Sequence, residues 1–206
     1  MDKLLSFSPE ELTEKEQKKL LIGSVIPRPI ALVTTMSKAG VINVAPFSYF
    51  NIVTYNPPML SIAVQRVNGE SKDTARNILE NKEAVVHVVS EENVVAANKS
   101  AASLGPEESE LEIAGFTAVP SKAIKLPGIN EAKVRFETSL YESLVIYDKD
   151  NIATTDLLLL TVEHFHIDES VYHDGYISAE KLRAVSRLAG SDYAEIGKVF
   201  TLKRPE

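Results

Sequence analysis

The stretch Arg28–Pro58, RPIALVTTMSKAGVINVAPFSYFNIVTYNPP, carries four prolines and only two formally charged residues among its 31 positions. The segment IPRPIALVTTM (26–36) overlaps the start of this stretch. It is apolar and β-branched, with prolines only at its start, and this composition predicts a strand. SKAGV then reads as a turn in which Gly40 supplies a positive φ. INVAPFSYFNIV returns as a second strand interrupted at Pro46. We therefore expect a hairpin that forms the wall and rim of a barrel.

Further strands are expected on either side of helical insertions. PMLSIAVQ (58–65) and EAVVHVVS (83–90) have the composition of strands, and two long strands are expected over residues 132–148 and 157–171. In the first long strand, apolar and polar residues alternate from Val134 to Leu140, which predicts one wet face that includes Glu137. A helix is expected over residues 71–81.

The two ends of the chain are predicted to be accessory to this sheet. Residues 8–21 favour a helix with Ser8 as its N-cap and Gly23 near its end. The tail, about residues 172–206, contains a turn, a short helix from Ser178 and a final strand KVFTL (198–202). We expect the tail to pack on the barrel or on a partner subunit.

The fold class predicted from these elements is mainly β, with six or seven long and mostly antiparallel strands and inserted helices. Such a set forms a closed or partly split β-barrel, expected here as one domain over residues 1–206. The βαβ regularity of a doubly wound sheet is missing, and no GxGxxG motif follows the first strand.

Composition excludes several functional classes. The net charge of −7 argues against nucleic acid as a partner, because binding of a phosphate backbone needs a basic face. The absence of cysteine removes disulfides, thiolate nucleophiles and iron–sulfur clusters, and it fits a reducing compartment. The N-terminus lacks a signal peptide, and no apolar run is long enough to span a bilayer, so we expect a cytoplasmic protein without a membrane partner.

The motif SKDTARN, at the expected start of a helix, is a candidate anion site. A helix N-terminus exposes unpaired N–H groups and about half a positive charge. Ser71 and Thr74 add hydroxyl donors there, and Lys72 adds a full charge, which together suit a phosphomonoester. The alternative is ordinary capping, in which Ser71 or Asp73 satisfies the amides of the helix itself.

The motif NVAPFSYFN is the second candidate site. Because Pro46 has no N–H, we expect pairing to stop there and to free the amides of Ala45, Phe47 and Ser48 for a flat, partly apolar ligand. Asn43 and Asn51 are able to donate and accept at the edge of a heterocycle. The alternative is a β-bulge at a barrel rim that binds nothing.

Other polar residues give no catalytic or metal assignment. His164, His166 and His173 lack the spacing of a zinc motif, and His87 lies in an apolar strand, so no metal site is expected. No nucleophile, acid or base can be assigned as catalytic. The acidic run Glu107, Glu108, Glu110 and Glu112 is interpreted as a solvated surface.

Taken in order, IPRPIALVTT, NVAPFSYFN, NPP, KDTARNI and RLAGSDYAEIG resemble the flavin reductase-like family with the FMN-binding split barrel, and flavoredoxin-type proteins above all. The resemblance runs from about Val25 to Phe200. It implies a homodimer with FMN near the dimer interface. It also implies that Lys72 and Thr74 bind the phosphate, with Ser48 and Ser71 as helpers, and that Asn43, Ala45, Pro46 and Phe47 face the flavin. Arg187 and Tyr193 match a tail that covers the site, although Ala189 stands where the family often has glycine.

The function implied is redox chemistry on bound FMN, with NAD(P)H as the electron donor and a small molecule or a protein as the acceptor. Three alternatives stay open. The first is an FMN electron carrier reduced by a partner protein, and the second is a non-redox module for a phosphorylated ligand. The third is an enzyme like pyridoxamine phosphate oxidase, which needs a second phosphate site rich in Arg and Lys, and the sequence shows no such cluster.

Overall fold

The computed structural model describes residues 4–102 and 108–205. Its strands are β1 (Arg28–Pro29), β2 (Ala31–Met36), β3 (Ile42–Phe47), β4 (Phe50–Tyr55), β5 (Pro58–Gln65), β6 (Glu83–Val88), β7 (Ala118–Val119), β8 (Gly128–Ile129), β9 (Val134–Tyr147), β10 (Ala153–Ile167), β11 (Tyr172–His173), β12 (Tyr176–Ile177), β13 (Val185–Arg187) and β14 (Tyr193–Glu195). Its α-helices are α1 (Glu14–Ser24), α2 (Asp73–Asn81), α3 (Val94–Lys99), α4 (Glu110–Ala114) and α5 (Ala179–Leu182), and residues Pro9–Glu11 and Glu169–Val171 form 3-10 turns.

Seven strands form one antiparallel sheet in the order β3-β2-β6-β9-β10-β5-β4. Its outermost strands, β3 and β4, are joined only by Ser48 and Tyr49. In a flat sheet, six strand spacings of about 4.8 Å would hold them roughly 29 Å apart, whereas this link reaches only about 11 Å. The sheet must therefore roll up until its edges meet. This confirms the predicted mainly β, antiparallel split barrel.

The barrel is filled by aliphatic side chains from alternate strand positions. Ile62, Val86 and Leu158 are fully buried in this core, and α2 closes one side of it with Ile78. Burial of each such side chain contributes roughly 1.5–3 kcal/mol. A second core, on the other face of β2, packs Leu32 against residues of α3, α4 and the tail. Strand β2 is thus buried on both faces, which explains why its sequence carries no charged residue.

The structure moves two predicted boundaries. The N-terminal helix does not run over residues 8–21, because the extended backbone of Leu12 and Thr13 ends a short 3-10 turn. The α-helix then begins at Glu14 with Thr13 as its cap, and it continues past Gly23. The predicted final strand KVFTL is wrong, since residues 198–202 form no strand and Tyr193–Glu195 pairs with β13 instead.

The prediction that strand pairing stops at Pro46 is wrong. Pro46 lies opposite Leu32 and Phe47 lies opposite Ala31, so β3 continues through the proline. As an outermost strand, β3 has a neighbour on one side only, and a residue without an N–H is tolerated there. The bend falls instead at Ser48 and Tyr49, and it separates two strands where one interrupted strand was predicted.

Two acidic residues predicted to face solvent are buried. Glu137 is 0% exposed, and its carboxylate accepts hydrogen bonds from the amides of Lys122 and Ala123 at 2.7 and 2.6 Å. Burial alone would raise the pKa of Glu137, but the bonds from His166 and from these amides lower it to about 2. Glu110, within the acidic run, is 7% exposed. Glu108 and Glu112 are exposed, and Glu107 lies outside the described residues.

Candidate functional site

A cavity of about 440 Å³ lies between the Ser48–Tyr49 bend, the start of α2 and the C-terminal tail. Six of the predicted site residues line it: Pro46, Phe47, Ser48, Lys72, Arg187 and Tyr193. An adjacent cavity of about 290 Å³ shares Pro46, Phe47 and Lys72 with it and adds Asn43, Ala45 and Thr74. The fold therefore brings both sequence motifs to one place, although 25 positions separate Phe47 from Lys72 along the chain.

The cavity of about 440 Å³ is strongly cationic and is called the cationic cavity below. Lys18, Arg28, Lys72 and Arg187 line it, and none of its lining residues is Asp or Glu. This clustering stands out in a chain of net charge −7. Opposite charge concentrated in a cleft raises the local concentration of an anionic ligand. The sequence did not reveal the cluster, because its members come from α1, β1, the start of α2 and β13.

The N-terminus of α2 is not capped by its own side chains. Lys72 occupies the N-cap with an extended backbone and makes no side-chain capping bond. The Ser71 hydroxyl points elsewhere and donates to Asp156 Oδ2 at 2.8 Å. Ordinary capping by Ser71 or Asp73 is therefore not what the structure shows. The first amides of α2 lack intrahelical partners, and they follow directly on Lys72, which lines the cavity.

A buried ion pair fixes this helix start to the barrel. Asp156 on β10 is 1% exposed and accepts both Arg66 Nε, at 3.1 Å, and a terminal nitrogen of the same guanidinium, at 2.6 Å. Arg66 also donates to the carbonyl of Gly69 at 2.9 Å. Ser71 completes the group through the same carboxylate. We interpret Ser71 as a residue that positions Lys72, since it lines neither cavity.

Asn43 and Thr74 are bonded to each other beneath the bend. The Thr74 hydroxyl donates to Asn43 Oδ1 at 2.8 Å, and Asn43 Nδ2 donates to Glu110 at 2.9 Å. All three side chains are at least nine-tenths buried. Glu110 also accepts the amide of Val44 at 3.2 Å, which ties α4 to β3. The role of Glu110 was missed, because it lies in an acidic run with Glu107, Glu108 and Glu112.

Asn51 lies beyond the bend and does not line the cationic cavity. It borders a third cavity, of about 710 Å³, between α1 and strands β4 and β5. Its side-chain oxygen accepts the amide of Ile52 at 2.8 Å. Ser48 borders both this space and the cationic cavity, so the two are continuous at the bend.

The tail forms a wall of the cationic cavity within the same protomer. Strand β13 pairs with β1, with Arg187 opposite Arg28, and β14 pairs with β13. The Arg187 guanidinium lies 4.5 Å from the centre of the Tyr193 ring. The Tyr193 hydroxyl donates to Asn98 Oδ1 on α3 at 3.0 Å. Gly190, in the turn of this hairpin, has φ 59°, which a glycine adopts without strain.

Arg28 also lines the cationic cavity, although no motif in the sequence predicted it as a site residue. It is 7% exposed, and its terminal nitrogens donate to the carbonyls of Ile22, Val25 and Leu188 at 2.7, 2.5 and 2.8 Å. Its buried Nε has no partner among the described residues. The only sequence signal for Arg28 was its charge, because Arg28 and Lys38 are the two charged residues in the stretch Arg28–Pro58.

The histidines lie away from the cavities. His87 is fully buried, with Nδ1 2.8 Å from the carbonyl of Leu32 and Nε2 accepting the amide of Ile129 at 3.0 Å. Burial lowers the pKa of His87 to about 3. His166 bonds to Glu137. Across residues 4–102 and 108–205, no three His, Cys, Asp or Glu side chains are grouped as metal ligands.

A family model described as the flavin reductase like domain matches residues 22–183. The chain belongs to the flavin reductase-like family. This flavin reductase-like protein is 50% identical over 201 residues to the uncharacterized protein YwrF of Bacillus subtilis (strain 168), an alignment that covers 97% of this chain and 98% of that protein. The family resemblance drawn from the motifs is thereby confirmed. Within the described part of the chain, no helix is long and apolar enough to cross a bilayer.

Two solved structures share its fold over nearly the whole chain. Nitrilotriacetate monooxygenase component B from Bacillus cereus is 48% identical, with a TM-score of 0.96 over 98% of this chain and 100% of that one. The 2-nitrobenzoate 2-nitroreductase NbaA of Pseudomonas fluorescens is 28% identical, with a TM-score of 0.87 over 98% and 96%. Family and neighbours support a flavin-related redox function. Lys18, Arg187 and Tyr193 lie outside the matched residues 22–183.

Proposed function

We propose that this protein is an FMN-binding oxidoreductase that takes electrons from NAD(P)H and passes them to a small molecule or a protein. The observation that carries the proposal is the cationic cavity, which joins the uncapped start of α2 to the bend at Ser48 and Tyr49. The cationic cavity by itself suits any phosphorylated ligand. Membership of the flavin reductase-like family indicates that this ligand is a flavin.

The residues present fit FMN. Lys72 and the free amides of α2 suit its phosphate, since each charge-assisted hydrogen bond contributes roughly 1.5–3 kcal/mol. Pro46, Phe47 and Ser48 offer a low-charge surface for its ring system, and Arg187 and Tyr193 close the opposite wall. Asn43 and Thr74 support this surface from below, because their polar atoms are already hydrogen-bonded to each other and to Glu110.

Bound FMN would supply the redox chemistry, accepting hydride from a nicotinamide and releasing electrons to an acceptor. This chain provides orientation and charge. The four cations of the cavity stabilise negative charge on whatever they surround, and they do so in a space partly shielded from water. No acidic or basic side chain is required at the reacting atoms.

The experiment that tests the proposal has two stages. The visible spectrum of the purified protein is recorded after addition of FMN and gel filtration, and a retained flavin spectrum is expected. NADH and NADPH are then mixed with the loaded protein without oxygen. One of them should bleach the flavin faster than free FMN is bleached. Retained flavin that neither nucleotide bleaches would favour the electron carrier, and no retained flavin would refute both.

We further propose that the protein acts as a homodimer. Strand β4 and the second half of β9 expose large apolar side chains, including Ile52, Tyr55, Tyr141 and Leu144 at 73%, 91%, 64% and 56%. Large apolar side chains left exposed in this number favour burial against a second copy of the chain. Sedimentation equilibrium should return twice the chain mass of 22.6 kDa.

A further inference from the structure

The cavity of about 290 Å³, called the smaller cavity below, differs in charge from the cationic cavity beside it. Its charged lining residues are Lys72, Asp73 and Glu110, and it shares Lys72 with the cationic cavity. The Asp73 carboxylate is compensated by an ion pair with Arg76. Glu110 differs, since within the described residues no Lys, Arg or His nitrogen lies within 4 Å of its carboxylate. Glu110 is therefore the uncompensated charge of the smaller cavity.

Only one of the two carboxylate oxygens holds Glu110 in place. Oε2 accepts the side-chain amide of Asn43 at 2.9 Å and the backbone amide of Val44 at 3.2 Å. Oε1 accepts no hydrogen bond from residues 4–102 or 108–205. Glu110 is buried, and Asn43 is itself fixed by the hydroxyl of Thr74 on α2. The negative charge therefore has a fixed position in the wall of the smaller cavity.

Lys72 lies where the two cavities meet. It is the N-cap of α2, and it lines both cavities, whereas Glu110 lines only the smaller one. The proposed function places the flavin ring on the bend at Ser48 and Tyr49 and the phosphate at Lys72. A ligand that continues beyond this phosphate, away from the ring, would therefore enter the smaller cavity. There it would meet the carboxylate of Glu110.

We propose that Glu110 is a specificity-determining residue, which restricts the site to a flavin that ends in a single phosphate and disfavours a flavin that continues through a diphosphate. The two ligands are FMN and FAD, and the inference rests on the proposed function. Two like charges brought together in a partly buried site discriminate against the ligand that carries the second one. A single phosphate ends at Lys72 and the amides of α2, whereas the second phosphate of FAD would lie nearer to the carboxylate, where repulsion is stronger.

The alternative is that Glu110 only ties α4 to β3. A residue with that role alone would change the affinities for FMN and FAD alike, because both ligands need the same folded wall. A residue that determines specificity changes the ratio of the two dissociation constants. This ratio is therefore the quantity that separates the two roles.

The test measures the Kd of FMN and the Kd of FAD separately, by calorimetry on the full-length protein after bound flavin has been removed. Wild-type protein should bind FMN at least about tenfold more tightly than FAD. Glu110→Gln removes the charge but keeps one oxygen that can accept both hydrogen bonds. In this variant the ratio of the FAD Kd to the FMN Kd should fall about tenfold. Glu112→Gln, exposed on the same helix and outside both linings, is the matched control and should retain the wild-type ratio.

A second variant separates the charge from the hydrogen bonds. Glu110→Ala removes both, so it should bind each flavin more weakly than Glu110→Gln does while the ratio stays equally low. A wild-type ratio in either variant, or wild-type protein that binds FAD as tightly as FMN, would overturn the proposal. Loss of both flavins in Glu110→Gln would assign the residue to the fold alone and would also overturn it. Wild-type protein that binds neither flavin would instead refute the proposed function.

Discussion

The guanidinium of Arg28 donates a 2.8 Å hydrogen bond to the carbonyl of Leu188, 160 positions further along the chain. The same side chain holds the carbonyls of Ile22 and Val25 at the C-terminal end of α1. One buried residue thus joins the N-terminal helix, β1 and the tail, which are three walls of the cationic cavity. A cation at this end of a helix is also favoured by the helix dipole.

Arg28→Met should loosen the tail. It removes the hydrogen bonds to three carbonyls, and we expect the free energy of unfolding to fall by about 2–4 kcal/mol. Hydrogen exchange of residues 185–195 should accelerate more than that of β6, which checks the effect locally. Arg204→Met, in the exposed end of the chain, serves as the control and should alter neither quantity. Unchanged exchange in the tail would show that the pairing of β13 with β1 suffices by itself.

Lys72→Ala should weaken FMN much more than riboflavin, because only FMN carries the phosphate. Loss of one charge-assisted contact corresponds to about 1.5–3 kcal/mol, or roughly a 10- to 150-fold rise in the Kd of FMN. Quenching of flavin fluorescence measures both ligands. Lys149→Ala, an exposed lysine in the turn between β9 and β10, is the matched control. Equal losses for the two flavins would mean that the phosphate lies elsewhere.

Asp156→Asn should destabilise the protein and weaken FMN together. Asp156 is buried and pairs with Arg66, whose side chain is 17% exposed, so removal of the charge leaves a guanidinium without a counterion. Such a loss costs about 3–5 kcal/mol. Chemical denaturation and flavin titration report the two effects. The exposed pair of Lys38 and Glu80, tested with Lys38→Ala, should change stability by less than about 1 kcal/mol. If Asp156→Asn binds FMN with normal affinity, the ion pair does not control the position of Lys72.

His87 should make the protein less stable as the pH falls. Burial lowers its pKa to about 3 from the ordinary 6.5, so between these values the unfolded chain binds a proton that the folded protein does not. Stability is therefore complete above pH 6.5 and declines as the pH approaches 3, by at most about 1.4 kcal/mol per pH unit. Urea denaturation between pH 7 and pH 4.5 measures the slope.

His87→Gln should be less stable at pH 7 yet show a flatter dependence on pH, because the titrating group is gone. His173→Gln removes an exposed histidine with 84% side-chain accessibility and should retain the wild-type slope. A slope that survives in His87→Gln between pH 7 and pH 4.5 would show that another group titrates there and that His87 is not its source. Glu137, whose pKa is lowered from 4.5 to about 2, affects stability only below pH 4.5.

The sequence by itself determined the main strands β2, β5, β6, β9 and β10, the barrel class and the two motifs that meet at the cavity. Strand β2 was recognisable because its short, uncharged and β-branched run, preceded by prolines, favours a strand that is buried on both faces. The start of α2 was recognisable because the residue types of SKDTARN (71–77) are typical of a helix N-terminus, whatever packs against it. The family pattern added Arg187 and Tyr193, which no periodicity would have indicated.

Only the tertiary structure decided which polar groups are free. Ser71 and Thr74 look alike in the sequence, but Asp156 takes the first hydroxyl and Asn43 the second, and both partners come from distant strands. Glu137 and Glu110 read as solvated, yet amides of other segments surround them. Lys18 and Arg28 became lining residues of one cationic cavity only when the fold brought α1 and β1 together with β13 and the start of α2. Hydrogen bonding and charge act through space, so residues far apart in sequence determine them, whereas strand burial leaves its period in the local sequence.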